Sequence, residues 1–103
     1  MKVINQGQEM FVSWSYETVK NKSLPGHALQ NVTNVTVSKK ENDKYVPIET
    51  TSVRKYHKDR ENRDKARKFA LKKVLGQLFP SARQKNERAT FWDAYKNRVN
   101  QTT

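Results

Sequence analysis

The chain has 103 residues, 21 Lys+Arg against 10 Asp+Glu for a net charge of +11, no cysteine, and 34% hydrophobic residues. That length fits a single domain, residues 1–103, with a core small enough to favour borrowing apolar surface from a second copy. The absence of cysteine excludes a disulfide scaffold, a thiolate metal site and a Cys nucleophile, and no apolar run approaches the ~20 residues of a membrane helix.

The stretch Met1 to Gly7 turns polar before any apolar segment develops, so no secretory leader is expected and the cytosol is the expected location. A short strand is expected near Val3-Ile4. From Met10 to Val19 the residues alternate, with Val12, Trp14 and Tyr16 on one face and Phe11, Ser13, Ser15 and Glu17 on the other, the pattern of a half-buried strand. Leu24-Pro25-Gly26 marks a turn in a loop from Lys20 to His27. A second strand runs from about Leu29 to Ser38, with Thr33, Val35 and Val37 on one face. Lys39 to Asp43 reads as a hairpin connection into a third strand, Tyr45 to Tyr56, whose Pro47 cannot donate to a ladder and so belongs at an edge or a bulge.

Asp59 is the expected N-cap of a helix reaching about Leu78, where Pro80 stops it. Ser81 and Gln84 have the spacing of a capping box, and a last helix follows to about Val99, with a frayed tail from Asn100. Its apolar stripe is Phe91, Trp92, Tyr95 and Val99. An antiparallel sheet of three to four strands (about 1–57) followed by two helices (about 59–99) is an α+β domain.

Charge is divided unevenly between these halves. Residues 1–53 hold six basic and five acidic side chains, whereas 54–103 hold fifteen and five, a net of +10. Such asymmetry points to an anionic partner met by the C-terminal half: a nucleotide, a nucleic acid or an acidic protein. A membrane surface fits less well, because neither helix sets a wholly basic face against a strong apolar one.

Laid out by angle, Ala66, Ala70, Leu71, Val74, Leu75 and Leu78 form the core-facing stripe of the first helix. Arg63 and Arg67 fall inside that apolar sector, and Phe69 falls outside it. Arginines there can lay their stems over apolar surface with the heads in water, and Phe69 can pack on a neighbour. Alternatively Arg60, Arg63 and Arg67 form an anion site at the helix start, since a planar guanidinium matches two phosphate oxygens. Arg88 and Arg98 on the last helix, with Trp14, Phe69 and Trp92 as stacking surfaces, complete the candidate ligand-binding set.

The catalytic inventory is thin. His27 and His57 share no metal-ligand spacing, no serine sits in a glycine-flanked elbow, and three glycines do not make a phosphate loop. A protein without enzymatic activity, metal or cofactor is therefore expected.

Two segments carry a resemblance. Phe11-Val12-Ser13-Trp14-Ser15-Tyr16-Glu17, and then Arg67-Lys68-Phe69-Ala70-Leu71 followed by Phe91-Trp92-Asp93-Ala94-Tyr95, resemble the bacteriophage anti-defence sponges that inhibit Thoeris immunity. The resemblance implies an N-terminal antiparallel sheet and a helical C-terminal part, assembly from dimers, and a location in the cytoplasm of the bacterial host. It also implies capture, without cleavage, of a cyclic ADP-ribose isomer, some members of the family holding cyclic oligonucleotides. The alternative, on composition, is a basic DNA- or RNA-binding phage regulator.

Overall fold

A computed structural model describes residues 1–20, 29–56 and 63–101. They form the α+β layout expected from the sequence. The elements are β1 (Lys2–Asn5), β2 (Gln8–Lys20), β3 (Leu29–Glu41), β4 (Lys44–Tyr56), α1 (Arg63–Leu78) and α2 (Lys85–Gln101), with a 3-10 turn at Ala82–Gln84 before α2. The four strands lie in sequence order, each antiparallel to the next.

Two of the connections are two-residue hairpins. Gln6-Gly7 joins β1 to β2 with φ values of 51° and 79°, and Asn42-Asp43 joins β3 to β4 with 49° and 66°. Positive φ at both central residues gives a turn whose twist matches that of the strands it joins. Glycine adopts this conformation freely, and short polar Asn and Asp tolerate it. The second hairpin corrects the sequence reading: strand pairing continues through Glu41 and Lys44, so the turn takes two residues and not five.

Strand register fixes which side chains meet. Val12 faces Val37 and Trp14 faces Val35, while Val35 in turn faces Thr51 on β4. The face they share holds Val3, Met10, Val12, Val35 and Val37, all buried. The opposite face carries Ile4, Phe11 and Tyr45, which remain exposed. There Glu9 accepts a hydrogen bond from the Tyr45 hydroxyl at 2.6 Å and pairs with Lys2 and Lys40 at 3.1 and 3.3 Å. The Tyr45 bond, followed by those to the two lysines, lowers the Glu9 pKa from 4.5 to about 2. On β4, Ile48 has no partner, because Val37 faces Glu49 and Ser38 faces Pro47. Pro47 thus sits beside a bulge on an outermost strand, the position its missing N–H requires. Further along β4, Lys73 Nζ donates to the Ser52 carbonyl at 3.1 Å.

Both helices pack on the same sheet face, α1 across β3 and β4 and α2 against β1. Ala70, Leu71, Val74 and Leu75 of α1 and Phe91 and Tyr95 of α2 are buried there. Ala66 and Leu78 are half-buried at the borders of the same stripe. Inside α1, Gly76 has an ordinary helical conformation, and a Cβ added to it would meet no atom of the described residues within 4 Å. A glycine there costs about 0.5–1 kcal/mol of helix stability relative to alanine.

Between the helices Ser81 forms the expected capping box: its hydroxyl accepts from the Arg83 N–H, while Gln84 Oε1 accepts from the Ser81 N–H at 3.1 Å. α2 then continues to Gln101, beyond the Val99 end read from the sequence. The expected turn at Leu24-Pro25-Gly26, Asp59, Arg60 and both histidines lie outside the described residues, while Lys20, expected in the loop, ends β2. Among the described residues no helix is long and apolar enough to cross a membrane.

Candidate functional site

The site is built around α2, which brings a packed aromatic cluster and an open cleft onto either side of Trp92. Tyr95 lies at the centre of the cluster, 1% exposed. Trp14 of β2 meets its ring edge-to-face at 5.9 Å between centroids, and Trp92 does the same at 6.2 Å. The Tyr95 hydroxyl donates to Asp64 Oδ1 at 2.5 Å and accepts from Arg67 Nε at 3.5 Å. Arg67 Nη1 also donates to the Tyr16 hydroxyl at 3.1 Å, and Nη2 lies 3.9 Å from Asp64. Lys68 completes the group with a 3.1 Å ion pair to Asp64 Oδ2.

This arrangement settles where the Arg67 side chain goes. It lies 24% exposed in the apolar sector of α1, with its head held by two tyrosine hydroxyls. Burial alone would lower its pKa, but the Tyr95 and Tyr16 hydroxyls more than offset that and hold the guanidinium above its ordinary value. The Tyr95 bond, with the Lys68 bond behind it, holds the Asp64 carboxyl below its ordinary range. Burial, and then the bond to Asp64, raises the Tyr95 phenol. The network therefore keeps Asp64 charged and Tyr95 protonated around neutral pH, a stable internal arrangement and not a poised acid–base pair.

On the other side of Trp92 lies a cleft of about 550 Å³ lined by Lys72, Gly76, Pro80, Ala82, Arg88 and Trp92. Among the described residues no carboxylate lines it. Arg88 Nη1 donates to the Phe79 carbonyl and, at 2.8 Å, to the Ser81 carbonyl. It thereby places a cation at the C-terminal end of α1, where the helix dipole favours one, and it fixes the cleft wall. Lys72 has no ion pair among the described residues. Gly76 and Ala82 add little side-chain bulk to the cleft wall.

Of the residues nominated from sequence, Trp14, Arg67 and Trp92 converge on Tyr95, and Trp92 and Arg88 line the cleft. Phe69 joins neither group: it is 55% exposed on the outward side of α1. Arg63 begins α1, while the Arg60, Arg63 and Arg98 side chains lie outside what the structure describes. Sequence reasoning missed Tyr16, Asp64 and Tyr95 as partners of Arg67. Asp64 carried a readable signal, standing three and four residues before Arg67 and Lys68, the spacing of helix-face ion pairs. Among the described residues no three His, Cys, Asp or Glu side chains gather where they would hold a metal.

No protein-family model, curated protein or solved structure matches this chain.

Proposed function

We propose that the chain is a non-catalytic binder that captures a small phosphate-bearing nucleotide in the cleft between α1 and α2. The observation that carries this reading is the meeting of one indole, Trp92, with two cations, Lys72 and Arg88, in a cleft that no carboxylate among the described residues lines. Its volume lies in the ~300–1,000 Å³ range of small-molecule sites. Stacking a base on an aromatic side chain contributes about 1–3 kcal/mol, and the cations supply phosphate contacts. The ligand class that joins this chemistry to the sponge resemblance is a cyclic ADP-ribose isomer, with cyclic oligonucleotides as a further class. On this reading the protein blocks a defence signal by holding it, with a second copy of the chain as assembly partner.

The test is a thermal-shift screen of nuclease-treated protein against cyclic ADP-ribose isomers, cyclic di- and trinucleotides, and short DNA and RNA duplexes. One cyclic nucleotide should raise Tm, survive moderate salt, and be recovered intact after heat release. Lys72→Glu and Trp92→Ala should each weaken that binding at least tenfold. Equal binding by both variants removes the cleft from consideration.

A second reading has its own observation. Between Asp64 and Glu87 the sequence holds seven Lys/Arg and no acid, and Phe69 stands exposed among Lys65, Lys68 and Lys73. That outward ridge suits a nucleic-acid strand, with phosphates on lysines and a base on the ring. Binding of this kind weakens steeply as salt rises, and Phe69→Ala would reduce it while leaving cleft binding unchanged.

A further inference from the structure

Glycine at position 76 has no explanation within the fold. Its backbone is helical without positive φ, so no conformational demand selects it, and an added Cβ meets nothing within 4 Å among the described residues, so no packing demand seen there does either. A residue in the middle of an exposed helical turn is where alanine would strengthen the helix. Gly76 nevertheless stands in the wall of the cleft, one turn after Lys72 and beside the space bounded by Trp92 and Arg88.

We infer that Gly76 is a specificity-determining residue: a flat nucleobase lies directly on the α1 backbone at Gly76, between it and the Trp92 indole, with its phosphate towards Lys72 and Arg88. This presupposes that capture takes place in the cleft, and it adds the ligand's orientation and its shape limit. A base is apolar on its faces and about as thin as an aromatic side chain, so it fits a slot with an indole on one side and a bare backbone on the other. Lys72 lies one turn before Gly76 on the same helix, placing a charge beside the slot and not within it. A methyl at position 76 narrows the slot from the backbone side, leaving the cations in place. An inorganic anion, which needs only the cations, is indifferent to that methyl.

The experiment compares wild type, Gly76→Ala and Lys72→Glu by thermal unfolding and by titration with ADP-ribose and with inorganic phosphate. Gly76→Ala should raise the Tm of the ligand-free protein by about 3–6 °C, because helix propensity improves and nothing is displaced. The same variant should bind ADP-ribose at least tenfold more weakly while its phosphate response stays that of wild type. Stabilisation and lost binding in one variant is a combination that a purely structural role for the glycine does not produce. The inference fails if Gly76→Ala binds ADP-ribose as tightly as wild type, or if it lowers Tm, which would show that the fold needs the glycine. Unchanged ADP-ribose affinity in Lys72→Glu, or no ADP-ribose binding by wild type, overturns the cleft reading and this inference with it. Loss in Lys72→Glu alone retains the cleft and removes only the role of Gly76.

Discussion

The two ends of α1 use the same kind of residue to opposite effect. Near its start, Arg67 is engaged inside the protein, by the hydroxyls of Tyr16 and Tyr95 and the nearby Asp64 carboxylate. Near its end, Arg88 of α2 engages two carbonyls through one nitrogen, and Lys72 beside it faces an open cleft. Positive charge is therefore structural at one end and available at the other. What decides is the presence of acceptors nearby: Asp64 and two phenols at the start, and no carboxylate among the described residues along the cleft.

The largest effect expected from this contrast follows removal of Tyr95, the hub of the structural end. Tyr95→Ala should cost about 3–5 kcal/mol in urea unfolding, since a large, fully buried ring leaves a cavity. Tyr95→Phe keeps the ring and removes the hydroxyl between Asp64 and Arg67, and should cost about 1–3 kcal/mol. An unchanged midpoint for Tyr95→Phe would mean that the start of α1 is held by apolar packing alone.

Acid gives the next test. The Asp64 and Glu9 carboxyls both have folded pKa values below their ordinary ones, so each stabilises the fold above its unfolded pKa, and that contribution is lost as pH falls. For Glu9 the loss spans the interval from 4.5 down to about 2. Tm measured from pH 6 down to about 2 should therefore decline, with a shallower decline in Glu9→Gln. Adding Asp64→Asn in that background should flatten it further; an identical slope would show that the Asp64 charge contributes nothing to the structural end. The smallest stability effect belongs to the cleft. Lys72→Glu should shift urea stability by no more than about 0.5 kcal/mol, the usual range for an unpaired surface residue. A loss above 2 kcal/mol would place Lys72 in the structural class with Arg67 and erase the contrast.

Much of this fold is legible in local pattern. Alternation placed β2 and most of β3, and Pro47 announced the irregular outer strand. Ser81 and Gln84 located the turn before α2, and the stripe of Ala70, Leu71, Val74 and Leu75 named the α1 core. What escaped was set by relations that a one-dimensional pattern does not carry. Asn42 and Asp43 read as part of a longer connection because a two-residue turn depends on positive φ at both positions, which short polar residues permit without requiring. Arg67 was recognised as lying in the apolar sector, but its acceptors come from β2 and α2, distant in sequence. Lys72 looked like any solvated lysine, because the cleft it lines is completed by Gly76 and Ala82 together with Trp92 on the next helix.

The irregular outer strand has a consequence for how copies of this chain behave when crowded. A straight strand with a free flank invites another to add to it, and repeated addition ends in fibrils. On β4 the proline and the unpaired Ile48 break the repeat, and Lys73 engages the Ser52 carbonyl further along the same strand. Sideways addition of further strands is thereby discouraged at that flank.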